Sequence, residues 1–478
     1  MPPFRDVRRK TTFDARVRAA VRPRLPKTGA INTNKAAFAP AQAGCEVCAT
    51  FSLAPGPDPR TRKGAMDMRA LPFLCAGAAI SACAAGLTLW AGQSQADFRS
   101  GAPKYELVAN WPKPFPSTPD PVTGRARTWI PGEVAGTCVD SHDHVFIVTR
   151  GNLIAPEDVK GIAAPPVMEF DRKGNTVAAW GDRNVLPNGI HGCFVDYQDN
   201  LWIAGNGDGI VQKYTHDGSL LLQIGTRGVC DNPPANVCGN SGANPAANQS
   251  KTLLNQPADM YIDPDPDPVT HKRGSIYIAD GYGNHRVVVF DAEGNYLRQW
   301  GGVAGTVNNP LTDFRELFGA GDGGHPHCVL IGNDNLVYVC DRQNDRIQVF
   351  TKTGALVRVM AVVPGTGATL QPGGQPGLGT AGSAWDIDFS TDGAQRFMFE
   401  ADGGNEQILI MDRRAGTILS RFGQPGRQGG QFTFLHTVSR DSKGNLYTGE
   451  TINGRRIQKF ALVECDDGHR RGKDEDCR

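Results

Sequence analysis

The feature that most constrains the fold is a unit that recurs six times along the chain. Each unit begins with a short apolar strand, and the six segments are VAGTCVD, HGCFVD, ADMYID, HCVLIG, SAWDID and HTVSRD. Three more short strands follow, separated by polar or glycine turns such as DAEGN. Short strands with regular turn signals indicate all-β structure, and a period of roughly 45–60 residues with four strands is typical of propeller blades. The sequence therefore predicts a six-bladed β-propeller with four antiparallel strands per blade.

The balance of charges argues against one class of function. Lys and Arg number 50 and Asp and Glu number 49, so the formal net charge is +1. A protein that binds nucleic acid usually carries a clear basic excess, which this chain lacks. We therefore expect no nucleic-acid partner.

The N-terminal part of the chain is expected to lie outside the propeller. Residues 71–91 form an almost unbroken apolar run, preceded by Arg69 and followed by Ser94-Gln95-Ala96, which resembles a cleavage site. This pattern predicts an export signal over residues 66–96, with a membrane anchor over residues 71–91 as the alternative. Residues 1–65 are Arg-rich and non-periodic, which indicates a disordered or over-extended N-terminus. The propeller is then expected over residues 97–464, followed by a hydrophilic tail over residues 465–478.

An exported protein, whether periplasmic or secreted, can hold disulfide bonds. Cys230 and Cys238 bracket one short loop, and Cys465 and Cys477 bracket the tail, so both pairs are predicted as local bridges. Four further cysteines lie on predicted strands and are expected to pack as free buried thiols, with metal ligation as the alternative: Cys138, Cys193, Cys328 and Cys340.

Three histidines share one position in alternate repeats. Five residues before the end of each first segment stand, in order, Ala135, His191, Ala258, His327, Ser383 and His436. A single histidine at such a place is more often a structural hydrogen-bonding group. Three in one register around a ring are better explained as ligands of a single metal ion. Three neutral imidazoles suit Zn²⁺, and three protein ligands with one open position are typical of a catalytic zinc site.

Two other side chains are predicted to face the same end of the ring. In a propeller, the second strand of a blade runs back toward the start of the first, so residues after it return to that face. Arg150 follows the second strand in FIVTRG, and Tyr282 follows it in ADGYGNHR. Arg150 has the fork geometry to bind a carboxylate, and Tyr282 has the chemistry of a general base beside a metal. The alternatives are a strand cap for Arg150 and loop packing for Tyr282.

At this point the chain resembles a known family. ADGYGNHRVVVFDAEGNYLRQWG and CDRQNDRIQVF are similar to NHL repeats. The order FIVTRG, HGCFVD, DGYGNHR, PHCVLI with VCDRQNDRIQVF, and LHTVSRD resembles peptidyl-α-hydroxyglycine α-amidating lyase over residues 105–462. The resemblance implies that His191, His327 and His436 bind zinc, that Tyr282 is the catalytic base and that Arg150 orients the substrate. It implies non-hydrolytic cleavage of a carbinolamide N–C bond in a peptide or small α-hydroxyglycine-like substrate, giving an amide and glyoxylate.

The sequence also departs from the family pattern. A methionine of the family is Phe434 here, a cysteine after the catalytic tyrosine is Gly283, and an aspartate associated with structural calcium is Thr437. Calcium is therefore only weakly implied. Two other classes of function stay open. One is a calcium-dependent propeller enzyme such as a lactonase, which the His-rich register disfavours. The other is a non-catalytic exported NHL propeller that binds a partner. The oligomeric state is not predicted.

Overall fold

A computed structural model of the protein describes residues 101–239, 244, 246–302, 318, 326–366 and 382–464. The predicted disordered N-terminus (1–65), the predicted export signal or anchor (66–96) and the predicted tail (465–478) with its bridge between Cys465 and Cys477 lie outside these residues. The chain divides into two units, residues 1–74 and 75–478, and every described residue belongs to the second.

Strands dominate the described residues. In chain order they are β1 (Lys104–Leu107), β2 (Ser117–Pro119), β3 (Ala126–Ile130), β4 (Val134–Val139), β5 (Val145–Thr149), β6 (Gly161–Ala163), β7 (Val167–Phe170), β8 (Thr176–Trp180), β9 (Ile190–Val195), β10 (Leu201–Gly205), β11 (Ile210–Tyr214), β12 (Leu220–Ile224), β13 (Asp259–Ile262), β14 (Ile276–Asp280), β15 (Arg286–Phe290), β16 (Tyr296–Gly301), β17 (Pro326–Ile331), β18 (Leu336–Asp341), β19 (Arg346–Thr351), β20 (Leu356–Ala361), β21 (Asp386–Phe389), β22 (Phe397–Asp402), β23 (Gln407–Asp412), β24 (Thr417–Phe422), β25 (Leu435–Arg440), β26 (Leu446–Glu450) and β27 (Arg456–Glu464).

The helices of the described residues are short. One α-helix, α1 (Ala155–Lys160), lies between β5 and β6, and one 3-10 helix (Arg342–Asn344) lies between β18 and β19. In the part of the chain that the structure describes, we find no helix with the length and apolar character needed to cross a bilayer.

Six four-stranded antiparallel sheets account for most of the described strands. We number them by their first strands: sheet 1 is β4-β5-β7-β8, sheet 2 is β9 to β12, sheet 3 is β13 to β16, sheet 4 is β17 to β20, sheet 5 is β21 to β24, and sheet 6 is β25-β26-β27-β1. The N-terminal strand β1 thus supplies the outer strand of sheet 6. Each first strand contacts the first strand of the next sheet, and β25 contacts β4, so these contacts close a cycle.

A seventh sheet was not predicted from the sequence. It has three strands, with β3 pairing antiparallel to β2 and parallel to β6. The predicted all-β fold with four-stranded antiparallel sheets is confirmed. Because the described residues form seven sheets, the number of six blades stays a prediction.

The core lies between neighbouring sheets because successive side chains of each strand point to opposite faces. In β10, Leu201 and Ile203 pack in a buried cluster with Phe146 of sheet 1. Trp202 and Ala204, which alternate with these residues along β10, pack instead with strands of sheet 3. Burying one large apolar side chain stabilises a fold by roughly 1.5–3 kcal/mol, so a strand that is apolar on both faces holds its sheet between two others.

Aspartates close several of the first strands. The Oδ1 atom of Asp196 accepts hydrogen bonds from the backbone N–H groups of Gln198 (2.9 Å) and Asn200 (3.0 Å). In the same way, Asp441 Oδ1 accepts hydrogen bonds from the backbone N–H groups of Lys443 (3.0 Å) and Asn445 (2.9 Å). An aspartate that bonds to its own following backbone stabilises a tight turn, which explains the repeated DYQDN and DSKGN segments.

Three disulfide bonds join described cysteines. The predicted bridge between Cys230 and Cys238 is confirmed. The prediction that the other four cysteines are free thiols is wrong, because each has a partner on an adjacent strand. The two further bridges are Cys138–Cys193, which links β4 to β9, and Cys328–Cys340, which links β17 to β18. Their Cα atoms are 5.9 and 5.0 Å apart, and the pairing register that brings them together is not visible in the sequence.

Candidate active site

The three histidines of the shared register meet at one point. His191, His327 and His436 are the second residues of β9, β17 and β25. Their exposed fractions are 1%, 3% and 3%. The Nε2 atoms of His436 and His191 are 3.1 Å apart. Ligand atoms of all three lie within 4.8 Å of one another. They stand at one end of a cavity of about 470 Å³ that is lined by residues of all six first strands.

A β-bulge lies at each of these histidines. In β17, Pro326 and Cys328 pair with consecutive residues of β18, so His327 is the extra residue. In β25, His436 is the extra residue between Leu435 and Thr437. In β9, the register shifts across His191 and Gly192. A bulge adds one residue to a strand and redirects its side chain, which allows these imidazoles to leave the alternating pattern and point together.

Backbone carbonyls fix the orientation of two of the rings. His191 Nδ1 donates to the carbonyl oxygen of Ala258 (2.8 Å), and His327 Nδ1 donates to that of Trp385 (2.6 Å). Because a carbonyl can only accept, Nδ1 carries the proton in both rings and Nε2 keeps its lone pair. For His436 the corresponding group is the carbonyl of Ala135. His436 Nδ1 makes no hydrogen bond of standard geometry within the described residues.

The surroundings favour neutral imidazoles. Burial lowers the pKa of His191 well below 6.5, and the charges of His436, His327 and Arg150 lower it further. The hydrogen bond to the carbonyl of Ala258 acts in the opposite direction and raises this pKa. Burial also lowers the pKa of His436, together with the positive charges of Arg150 and Arg342. A neutral imidazole with a free Nε2 lone pair is the form that binds a metal ion.

Tyr282 lies directly against the histidines. It follows β14 in the loop that returns to this end of sheet 3, and its hydroxyl oxygen is 3.0 Å from the Nε2 atoms of both His191 and His327. The hydroxyl donates its single proton to one of these lone pairs at a time. The preceding Gly281 is packed so closely against the backbone of Pro326 that a Cβ atom there would overlap its carbonyl oxygen. The loop therefore holds the phenol in place through backbone contact.

Arg342 is a site residue that the sequence analysis missed. Its Nη1 donates to the Tyr282 oxygen at 2.9 Å, and its guanidinium lies 5.2 Å from the Tyr282 ring centre and 4.5 Å from the Trp385 ring centre. Its Nε is buried without a hydrogen-bond partner among the described residues. A usable signal existed, because Arg342 directly follows the second strand of its sheet, as Arg150 does.

Arg150 lies beside the histidines without contacting Tyr282. Its Nε donates to the carbonyl oxygen of Ile190 (3.0 Å) and its Nη1 to Glu133 (2.6 Å). The side chain is 24% exposed. Its Nη2 makes no hydrogen bond to the described part of the chain, so this nitrogen stays available for a ligand beside the histidines. Glu133 balances the charge, and Ile190, the neighbour of His191, fixes the position of the guanidinium.

Further along the cavity, the position associated with calcium carries a neutral hydroxyl. Thr437 Oγ1 is 2.6 Å from Thr137 Oγ1, to which Ser439 also donates at 3.0 Å. The carboxyls of Asp259 and Asp386 line the same cavity. Burial raises the pKa of Asp259 to about 7 and that of Asp386 well above its ordinary value, the latter aided by Asp259. The cavity below the histidines thus holds acids that resist ionisation.

The fold and the site together define an all-β protein of the propeller type with a buried three-imidazole centre and an adjoining tyrosine. No family model matches the chain. Among curated proteins it is similar to the peptidyl-glycine alpha-amidating monooxygenase of Mus musculus, with 24% identity over 352 residues, which are 70% of this chain and 31% of that protein. It is also similar to a probable peptidyl-alpha-hydroxyglycine alpha-amidating lyase of Caenorhabditis elegans, with 28% identity over 234 residues, or 46% of this chain and 56% of the relative.

A third relative belongs to a different class. NHL repeat-containing protein 3 of Homo sapiens is 26% identical over 376 residues, which are 74% of this chain and 84% of that protein. Among solved structures, a streptogramin B lyase has a TM-score of 0.40 at 14% identity and covers 76% of this chain and 87% of its own. The chain therefore resembles both amidating lyases and NHL-repeat proteins, and it spans about a third of the length of the mouse monooxygenase.

Proposed function

We propose that the protein is a zinc-dependent lyase of the peptidyl-α-hydroxyglycine amidating type, which cleaves a carbinolamide N–C bond to an amide and glyoxylate. The observation that carries this proposal is the contact of the Tyr282 hydroxyl with the Nε2 atoms of two of three convergent histidines. A structural role would not require three buried imidazoles to direct their lone pairs at one another and at a phenol.

The six four-stranded sheets are then the blades of a six-bladed propeller. Support comes from the closed cycle of contacts between the six first strands. The seventh sheet has three strands and lies outside this cycle, since its strands flank β4 and β5 in sequence rather than forming a further unit. We interpret it as an insertion at the edge of the first blade.

The three imidazoles fit a zinc ion. Tetrahedral ligands about 2.0–2.1 Å from zinc lie about 3.3 Å apart, close to the 3.1 Å between the Nε2 atoms of His191 and His436. The carbonyls that accept from Nδ1 supply the outer hydrogen bonds that orient metal-binding histidines. The orphaned Nδ1 of His436 gains the Ala135 carbonyl by a small rotation. When bound, zinc would act as a Lewis acid toward the substrate hydroxyl.

The residues around the imidazoles supply the proton chemistry. As a phenolate, whose own proton has left to solvent, Tyr282 accepts the proton of the α-hydroxyl group and passes it to the departing amide nitrogen, while the C–N bond breaks and the C–O bond becomes the aldehyde of glyoxylate. Protons and electrons balance without water or a redox partner. Arg342, bonded to the same oxygen, stabilises the negative charge of the phenolate before it accepts the proton and again after it has passed the proton on.

Arg150 is proposed to bind the substrate carboxylate. Its free Nη2 is available for a carboxylate beside His191, while Glu133 and Ile190 hold the other nitrogens. A guanidinium anchored in this way loses little freedom when it binds an anion. The substrate is then an α-hydroxyglycine compound, either at the end of a peptide or in a smaller molecule.

The second candidate function is a non-catalytic exported NHL propeller that binds a partner. It is favoured by the similarity to NHL repeat-containing protein 3, of which this chain covers 84%. The two functions differ in one respect that can be measured, because a binding scaffold needs neither zinc nor glyoxylate chemistry.

The test measures zinc content and glyoxylate release from an α-hydroxyglycine compound in the same preparations. The wild-type protein is expected to bind zinc and release glyoxylate. His327→Ala should lose zinc at this centre and the activity together. Tyr282→Phe should keep zinc and lose at least 100-fold in rate, since general base catalysis contributes roughly 10²–10⁴-fold. The exposed His271, changed to Asn, is the matched control. Zinc without glyoxylate release, or full activity in Tyr282→Phe, would overturn the proposed reaction.

We also infer that the protein is exported to an oxidising compartment. The support is the set of three disulfide bonds, which reducing compartments do not sustain. Thiol labelling of the unfolded protein, with and without prior reduction, tests this. The six bridged cysteines should react only after reduction, and labelling of all six without reduction would contradict export.

A further inference from the structure

The end of the first strand of sheet 1 is built differently from its counterparts. In sheet 2, the closing Asp196 receives hydrogen bonds from the Asn200 side chain (3.2 Å) and from Trp202 Nε1 (2.9 Å), and Lys213 pairs with it at 3.1 Å. One buried carboxylate is thus satisfied and neutralised by three donors. Two of them stand four and six residues after the aspartate, and the third lies on the third strand of the sheet.

Sheet 6 repeats this arrangement. Asn445 donates to Asp441 at 2.7 Å, and the Tyr447 hydroxyl donates to it at 2.9 Å. Lys459 pairs with Tyr447 in the strand register as Lys213 does with Trp202. Burial lowers the pKa of Lys459, and the carboxylate of Asp441 opposes that shift. Sheets 2 and 6 therefore close their first strands with the same set of amide, aromatic donor and lysine.

In sheet 1 all three donors are replaced. The closing Asp140 is followed four residues later by His144 and six residues later by Phe146, which has no donor. The residue that pairs with Phe146 on the third strand is Glu169 instead of lysine. The replacements exchange a cation for an anion and remove both donors to the second carboxylate oxygen. Asp140 Oδ2 is accordingly buried without a hydrogen-bond partner among the described residues.

The replacing side chains form a cluster with metal-binding chemistry. Glu169 is only 3% exposed, and its two oxygens contact two imidazoles, Oε1 with His144 Nδ1 at 2.5 Å and Oε2 with His216 Nε2 at 3.0 Å. His216 comes from the turn after β11 in sheet 2, and its ring packs edge-on against Phe146 at 5.1 Å. Ligand atoms of Asp140, His144 and Glu169 lie within 4.8 Å of one another.

The charges of the cluster call for a cation. Asp140 and Glu169 are both buried, and in the described ranges neither forms an ion pair with a lysine or arginine. Two buried carboxylates without a lysine or arginine partner are costly, so the positive charge must come from the two imidazoles or from a bound cation. The side chains of His144 and His216 are 34% and 42% exposed, which gives an ion a path from solvent.

We propose that Asp140, His144, Glu169 and His216 form a second metal site, for a divalent transition metal of the zinc class. Imidazole nitrogens and carboxylate oxygens are both ligands of Zn²⁺. Asp140, His144 and Glu169 already converge, and His216, which contacts Glu169, would move toward them as the fourth ligand. The ion would replace the direct contact of His144 with Glu169 and widen it to about 3.3 Å, the spacing of tetrahedral ligands. The site lies at the opposite end of β4 from the histidine centre, roughly 15 Å along the strand. Its role is to join sheet 1 to sheet 2.

The test counts zinc ions in the full chain after chelator treatment and titration with Zn²⁺ against a colorimetric competitor. Wild-type protein is expected to bind one more equivalent than Glu169→Gln or His144→Asn. The matched control is His142→Asn, an exposed histidine of the same turn that the cluster does not include. The double variant His144→Asn with Glu169→Lys copies the residues of sheet 2, so it should fold and also lack the site.

The two metal centres can be told apart. His327→Ala should lose the equivalent at the histidine centre and keep this one, and adding Glu169→Gln to it should remove all binding. If wild-type protein binds one ion that Glu169→Gln removes, the second site stands while the three-histidine centre fails. Equal stoichiometry and affinity in wild type, Glu169→Gln and His144→Asn would overturn the inference, as would loss of the same equivalent in His142→Asn.

Discussion

Arg342 illustrates how a repeat conceals a residue with its own role. It stands inside CDRQNDRIQVF, where Asp341, Asn344 and Arg346 match Asp280, Asn284 and Arg286 of the preceding unit, a repetition that indicates a structural role for them. The buried ion pair of Arg346 with Asp341 fits that interpretation, at 2.8 Å. Arg342 instead turns to Tyr282. The two arginines differ in position, because Arg342 directly follows β18 whereas Arg346 is the first residue of β19.

Replacement of Arg342 by Gln is expected to lower the rate of glyoxylate release by roughly 10- to 150-fold with little change in KM. A hydrogen bond to a charged group contributes about 1.5–3 kcal/mol, and this one stabilises the phenolate form of Tyr282 that accepts the proton. Steady-state kinetics at saturating and limiting substrate measures the effects on kcat and on KM separately. Arg172→Gln, which removes an exposed cation, is the control. A change confined to KM would instead indicate that Arg342 only binds substrate.

The metal-free protein is expected to lose stability in acid because of its buried imidazoles. His191 and His436 have folded-state pKa values well below 6.5, so below pH 6.5 the unfolded chain takes up protons that the folded chain refuses. Their contribution is complete above pH 6.5 and declines as the pH falls toward the folded values. The loss is about 1.4 kcal/mol at pH 5.5 for each imidazole that stays neutral.

Thermal unfolding of chelator-treated protein at pH 7.5 and 5.5 measures this effect. The double variant His191→Gln with His436→Gln should show a smaller decrease in Tm between the two conditions than the wild type. Buried carboxyls with raised pKa, such as Asp402 and Glu406 at about 6, act in the opposite direction but are present in both proteins. Equal decreases would show that the imidazoles are not held neutral.

At the level of elements, the strands were predictable and their irregularities were not. The register of His191, His327 and His436 follows from the apolar pattern, because a repeated side-chain position survives in the sequence. The bulges at these residues depend on how many residues of the partner strand oppose them, which no single strand encodes. The three-stranded sheet was missed for a related reason, since β2 and β6 have only three residues each and show no periodicity.

The loop that carries Tyr282 depends on a glycine. Gly281→Ala would place a Cβ atom on the carbonyl oxygen of Pro326, next to His327, and backbone on both sides prevents easy relief. We expect a loss of about 1–3 kcal/mol in the free energy of unfolding. We also expect at least a 10-fold slower release of glyoxylate, since small displacements of reacting groups are costly. Gly393→Ala, where a Cβ meets nothing within 4 Å, is the control. Unchanged activity in Gly281→Ala would mean that the loop position is not critical.

Over the whole molecule, sequence patterns were sufficient for the all-β class and the four-stranded sheets, but not for the links between sheets. Cys138 and Cys193 lie 55 residues apart, and their bridge joins sheet 1 to sheet 2. Each cysteine alone looks like a small apolar residue of a buried strand. The pairing becomes visible only when the first strands of neighbouring sheets are placed side by side, which is a property of the closed ring.

The bridges should differ in their effect on stability. In the chain-entropy model, closing a loop of 55 residues stabilises the fold by about 4 kcal/mol and closing one of 12 residues by about 3 kcal/mol. The pair Cys138→Ala with Cys193→Ala is therefore expected to cost about 1 kcal/mol more than Cys328→Ala with Cys340→Ala. Chemical denaturation measures both losses in the free energy of unfolding, provided that its slope against denaturant concentration is the same in each variant. The reverse order would indicate that strain or packing outweighs loop entropy.

The placement of β1 in sheet 6 has a consequence for biosynthesis. Residues 104–107 are made before every other described strand, yet they pair with residues 460–464 of β27, near the end of the chain. The imidazoles of the candidate centre are likewise spread over 245 residues, from His191 to His436. A ribosome-bound or truncated chain that stops before residue 436 holds two of the three at most. Under the proposed function, tight metal binding at this centre therefore requires the chain through residue 436, so the chemistry appears only after the last four-stranded sheet is made and the first strands have closed their cycle.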